Sequence, residues 1–271
     1  MKRHSDFFSR RSFLKSSLSA LGVAAGTLAA GSAFGQAAQL VTPRQTLGPF
    51  FPDEGDPVHE IRENLDFRLP ISEANDNNLT SIIGNEGRAM GQTVYVKGRV
   101  LFQDGKELVP QPGAVIILWN ASSTGRYNHR GDTDTPRFQH PKTGEWIDRE
   151  HDANFQYWGR SITDKRGRYL FKTVVPGFYP VDLKDGWFRP PHLHFMVSAP
   201  GIPQLVTQLY FKGDKIPDND FIQILNSKDY ILRDSRMTRE EQDSLVVDFQ
   251  PDPSGQITDS LIGQYDFVLK F

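Results

Sequence analysis

From Gln92 onward the chain is a succession of short apolar, β-branched runs closed off by Gly, Pro or Asn turn signals. They read TVYVKGRVLF (93–102), AVIILWN (114–120), GRYLFKTV (167–174), LHFMVS (193–198), QLVTQLYF (204–211) and, at the end, GQYDFVLKF (263–271). Such runs at this spacing build an all-β sandwich or barrel. The expected class is therefore all-β: a β-sandwich of short, mostly antiparallel strands with long loops and few short helices. Thr238 followed by Glu241 is the clearest helix signal, a capping-box pair. The stretch 121–160 is too long for an ordinary connection, and insertions of that size tend to carry function.

The chain opens with an arginine pair, Arg10 and Arg11, inside SRRSFLK (9–15), followed by an uncharged Ala-, Gly-, Leu- and Ser-rich run from Ser16 to Ala38. This is the layout of a twin-arginine signal peptide. The run is only weakly apolar, so no stable membrane anchor is expected after cleavage. Three segments follow from this reading: a signal peptide (1–38), an irregular N-terminal segment packing on the core (39–90) and the sandwich (91–271). The middle segment is polar and broken by Pro and Gly, with TLGPFFPDEGDP (46–57) its clearest loop. The expected location is periplasmic or secreted. An exported chain with no cysteine has no disulfides, which leaves packing or a metal to stabilise it. A net charge of −2 without a basic stripe argues against a nucleic-acid partner.

Residues 189–195, RPPHLHF, place two of the seven histidines one residue apart just after two prolines. Side chains alternate faces along a strand, so His192 and His194 point the same way. Pro190 and Pro191 suit a strand entrance. Two readings stand open on that pattern alone: a solvated pair on an edge strand, or the imidazole half of a metal site. Two tyrosines lie in Gly/Pro-rich loops nearby, Tyr127 in STGRYNHRGD and Tyr179 in PGFYP. Either alone reads as a half-buried aromatic with a wet hydroxyl. Together with the histidines they make an N₂O₂ donor set with two anionic oxygens, which favours a hard trivalent ion.

TLGPFFP, GRYNHR, WGRSITDKRGRYLFKTVVPGFYP, FRPPHLHF and LVTQLYFKGD together resemble the intradiol ring-cleavage dioxygenases, especially the protocatechuate 3,4-dioxygenase branch. The likeness covers roughly residues 42–215 plus the terminal strand. It implies one non-haem Fe(III) per chain, held by Tyr127, Tyr179, His192 and His194. It further implies a catechol-type substrate cleaved with O2 between its hydroxyl-bearing carbons to a muconate-type diacid. Tyr179 would act as a base, Arg189 would steady negative charge on the ring, and Gln208 would lie near the iron. Val181 and Tyr157, with Trp158, depart from the branch and are expected to reshape the substrate pocket. The resemblance is to the iron-bearing chain type, which implies a homo-oligomer or pairing with a homologous chain. His4, His59, His129, His140 and His151 lack motif support and read as surface residues.

Catechol or hydroxyquinol 1,2-dioxygenase activity is the alternative within the family. Those enzymes carry a long helical segment before the sandwich, where this chain has its Pro/Gly-rich 39–90. A cupin-like oxygenase also uses His-x-His but needs a carboxylate soon after, and FMVSAPGIPQ (195–204) holds none. An exported sandwich that serves only as a binding module would be marked by loss of a ligand, and all four are present.

Overall fold

A computed structural model describes residues 40–52, 76–129, 131–132 and 135–271. The twin-arginine segment, His4 and His59 lie outside them. Gln39–Phe271 forms one compact unit. Its elements begin with β1 (Thr93–Asp104), β2 (Glu107–Pro110), β3 (Val115–Trp119), β4 (Arg137–Gln139) and β5 (Trp146–Asp148). The next are β6 (Trp158–Ile162), β7 (Arg168–Val174), β8 (Tyr179–Asp182), β9 (Trp187–Arg189), β10 (His192–Ala199) and β11 (Ile202–Lys212). Helices α1 (Asn219–Lys228) and α2 (Arg239–Ser244) precede β12 (Val246–Asp248), β13 (Gln250–Pro251), β14 (Ser260–Gln264) and β15 (Phe267–Leu269).

Two sheets face each other. One runs β12-β11-β10-β3-β6, and the other is organised around β1, which pairs with β2, β7, β14 and β15. Every second residue of β10 (Leu193, Phe195 and Val197) is fully buried, as period-two alternation requires of a strand with one face in the core. The Phe195 ring meets Phe171 of β7 at 6.1 Å and Phe267 of β15 at 5.0 Å, which ties the two sheets together. β1 changes partner midway, pairing in parallel with β14 over Thr93–Lys97 and with β15 over Val100–Phe102. Gly98 stands at the change. A Cβ there would collide with the Tyr265 carbonyl, so the crossover needs glycine.

Each apolar run of the sequence lies on a strand, but GQYDFVLKF is divided between β14 and β15, with Tyr265 and Asp266 between them. The supposedly irregular 121–160 contains a hairpin, β4 with β5, and leads into β6. The capping box is present. Thr238 Oγ1 accepts from the Glu241 N–H, and the Glu241 carboxylate accepts from the Thr238 N–H. Two histidines read as surface residues are buried. The His140 ring packs on Phe221 at 4.6 Å and Phe178 at 5.1 Å while Nδ1 accepts from Lys142 N–H. His129 packs on Phe50 at 5.6 Å, and its Nδ1 accepts from Gly131 N–H.

Candidate metal centre

His192 and His194 occupy the face of β10 opposite Leu193 and Phe195, so one strand supplies the core and the site together. Register extends that face sideways: His194 lies opposite Trp119 of β3 and Gln208 of β11, and His192 opposite Tyr210. The Trp119 ring stacks on His194 at 4.8 Å and 13°. The Nδ1 of His192 lies 2.6 Å from the Pro190 carbonyl, which can only accept. Nδ1 therefore carries the proton, and the Nε2 lone pair faces inward.

The loop after β3 brings Tyr127 over this face. Its Oη lies 3.2 Å from His192 Nε2 and 3.1 Å from His194 Nε2, and the two Nε2 atoms are 3.1 Å apart. Asp132 fixes the loop by accepting the Tyr127 N–H at 2.8 Å. Arg149, just beyond β5, holds both oxygens of Asp132 and the Gly125 carbonyl. Tyr179 begins β8 opposite Arg189 of β9. Its ring lies 5.7 Å from Tyr127, 5.8 Å from His192 and 5.5 Å from the Arg149 guanidinium. The 46–50 loop closes the other side. Gly48 has φ +78°, and a Cβ on it would stand 3.1 Å from His194 Cε1, so the Gly of TLGPFFP gives both the turn and the close approach.

Burial and the neighbouring Tyr179 push the Tyr127 phenol well above its usual range. Burial also raises Tyr179, against the opposing pull of Arg189. Burial, then the Arg189 charge, hold His192 and His194 well below the usual imidazole value. The donors thus form a cluster of neutral groups whose lone pairs converge. Three mutual contacts of 3.1–3.2 Å match the roughly 3 Å separation of donors that share one ion at about 2.0–2.1 Å. A hard cation fits this set, since it would satisfy the converging lone pairs and hold the phenols as phenolates.

These depressed imidazole values set a pH dependence. The folded imidazoles stay neutral, whereas the unfolded chain takes up protons below about pH 6.5. Metal-free protein should therefore keep this stability above that pH. As pH falls further it should lose about 1.4 kcal/mol per unit for each of the two histidines. Urea midpoints between about pH 7.5 and 5 would measure it, and a flat series would contradict the burial of neutral histidines.

Arg189 is buried, with Nε 2.7 Å from Asp229 and Nη2 2.6 Å from Gln208 Oε1. Burial opposes its charge, but the Asp229 carboxylate beside it offsets this, and the guanidinium stays charged. Gln208 donates its Nε2 to the Thr46 carbonyl at 3.0 Å, so it links Arg189 to the covering loop. Asp229 fixes the other side, as its Oδ1 accepts the N–H groups of Ile231 and Leu232. Asp229, Asp132 and Arg149 have no sequence motif that marks them. A cavity of about 440 Å³ opens beside Arg189 and Tyr179, with Val181 in its wall. Tyr157 is not among the described residues that line it. Its ring stacks on His151 and its Oη accepts the Asp152 N–H.

A family model described as "Dioxygenase" matches residues 70–270. The beta chain of protocatechuate 3,4-dioxygenase from Burkholderia cepacia is 37% identical over 167 residues, 59% of this chain and 64% of that protein. Catechol 1,2-dioxygenase 2 of Acinetobacter lwoffii is 32% identical over 192 residues, 66% of this chain and 54% of that protein. The chain thus spans less than two thirds of the length of these relatives. The solved catechol 1,2-dioxygenase of Acinetobacter sp. ADP1, inhibited by bound mercury, shares its fold with a TM-score of 0.52. At 22% identity, the likeness covers 84% of this chain and 62% of that one.

Proposed function

The chain belongs to the intradiol dioxygenase family, and from that premise we propose that it cleaves a catechol-type ring with O2 between the two hydroxyl-bearing carbons. Both oxygen atoms enter the product, a muconate-type diacid. The family depends on non-haem iron. In this reading one Fe(III) per chain is held by Tyr127, Tyr179, His192 and His194. The observation that carries it is the convergence of Tyr127 Oη and both Nε2 atoms within 3.1–3.2 Å, beside the Tyr179 ring.

When bound, Fe(III) supplies Lewis acidity that lowers the catechol pKa values and draws electron density toward the metal. The protein does the rest. Tyr179, at the cavity wall, would be held as a phenolate by the bound iron, and in that form it would take up one catechol proton at Oη. Its cross-strand partner in the β8–β9 pair, Arg189, carries a positive charge that favours the anion at that oxygen. The Pro190 carbonyl and the Trp119 ring hold the two imidazoles in orientation. Arg189, gripped by Asp229 and Gln208, faces the cavity and stabilises negative charge as it grows on the ring. Phe50, Pro49 and Pro180 line the same cavity.

Oxygen uptake tests the reading. Iron-loaded protein should consume O2 when given catechol, chelation should abolish uptake, and Fe but not Zn should restore it. Uptake that survives complete removal of iron would contradict it. The reading includes export by the twin-arginine route. Arg10→Lys with Arg11→Lys should leave the protein in the cytoplasm, and normal export of the double variant would refute that route. It also includes an assembly larger than a monomer, which light scattering on the purified protein would check.

A further inference from the structure

The cavity of about 440 Å³ lies within the range, about 300–1,000 Å³, that accepts drug-sized ligands. A single catechol ring leaves much of it empty, so the rest of its wall decides what else the substrate carries. Among the described lining residues the charged side chains are Asp132, Arg149 and Arg189. Each guanidinium already has a buried carboxylate, Asp132 at 2.7 Å for Arg149 and Asp229 at 2.7 Å for Arg189. Arg149 also donates to the carbonyls of Gly125 and Thr135. A carboxylate substituent seated beside the two arginines would give up part of its water and meet, among the described residues, only guanidinium groups already paired with a buried carboxylate.

The outer wall is apolar. Val181 is the extra residue of a bulge, since Pro180 pairs with Phe188 and Asp182 with Trp187, leaving Val181 no partner. Bulges beside sites commonly re-aim a side chain, and this one leaves Val181 48% exposed at the cavity. Trp187 and Ile231 line the same wall. Tyr230, 65% exposed, packs its ring 5.0 Å from Trp187 and extends the aromatic surface outward.

We infer that the site favours catechols bearing a neutral apolar or aromatic ring substituent, seated against Val181, Trp187 and Ile231, over catechols bearing a carboxylate. The inference rests on the ring-cleavage reading above.

The test uses the full-length iron-loaded protein and three probes: catechol, 4-phenylcatechol and 3,4-dihydroxybenzoate. Each is measured twice, as kcat/KM by oxygen uptake and as equilibrium binding by anaerobic calorimetry. 4-Phenylcatechol should exceed 3,4-dihydroxybenzoate by about tenfold or more in both, the scale on which apolar pockets discriminate. Trp187→Ala should lower the ratio of 4-phenylcatechol to catechol by about tenfold. Val181→Lys, at an exposed position where the cation is easily solvated, should shift preference toward 3,4-dihydroxybenzoate by a similar factor. Wild-type preference for the carboxylate, or ratios unmoved in both variants, would overturn the inference. Failure of the ring-cleavage reading looks different: no uptake on any probe, while anaerobic binding still ranks the three.

Discussion

Tyr179→Phe and His192→Ala should each lower kcat by roughly a thousandfold or more, because losing a ligand forfeits several kcal/mol of Lewis-acid stabilisation. The reasoning starts from crowding. Three donor atoms within 3.1–3.2 Å of one another share no ordinary hydrogen-bond arrangement that satisfies all three contacts, since His192 Nε2 has no proton. Removing His192 breaks that cluster and should strip the iron as well as the activity. Tyr127→Phe and Tyr179→Phe add a spectroscopic signature. Tyrosinate on Fe(III) absorbs in the visible, so each variant should shift or bleach a red-brown colour. Tyr169→Phe is the comparison, because the Tyr169 hydroxyl donates to the Tyr265 carbonyl at 2.7 Å in the core. Its loss should leave the colour alone. A wild-type protein loaded with iron yet colourless would contradict the four-ligand set.

The second large effect belongs to Arg189. Arg189→Ala should keep the iron and most of the colour, yet lower kcat by about a hundredfold, the scale of one removed electrostatic donor. Its Nε and Nη2 are engaged by Asp229, Gln208 and Tyr210, so the charge is held rigidly at the cavity before substrate arrives. Lysine should rescue only part of the rate, because it cannot make the forked contacts to Asp229 and Gln208 together. The same change has a structural cost. Asp229 is fully buried, and breaking a buried pair costs about 3–5 kcal/mol. Asp229→Ala should therefore destabilise the fold by a comparable amount while leaving the iron ligands in place. Near wild-type turnover by Arg189→Ala would rule out the charge-stabilising role.

The strands that frame the site were legible because β1, β10 and β11 are long enough to show period-two burial with turn residues at their ends. The short pairs were not. β4, β5 and β9 have three residues each, too few for any period, and their sequences read as loop. Helix α1 was missed for a related reason. Its N-cap, Asp218, stands in the left-handed region at φ 53° and makes no side-chain cap bond, and Phe221 rather than Glu or Gln follows three residues later, so no capping box marks the entry. Its Phe221, Ile222 and Leu225 do follow helical spacing. Within the site, His192 and His194 were legible from the alternation of a single strand. Arg189, Asp229 and Gln208 come from β9, the turn after α1 and β11, and only tertiary folding joins them. The Arg149–Asp132 clamp spans 17 positions, which no local pattern reports. Buried His140 differs from a surface histidine only by its packing against Phe178 and Phe221.

The most direct measurement is the identity of the product made from catechol by iron-loaded protein under isotopically labelled O2. Ring opening between the hydroxyl-bearing carbons predicts a muconate diacid that carries one labelled oxygen in each carboxyl group. A semialdehyde, from opening beside the diol, or an unlabelled product would contradict it.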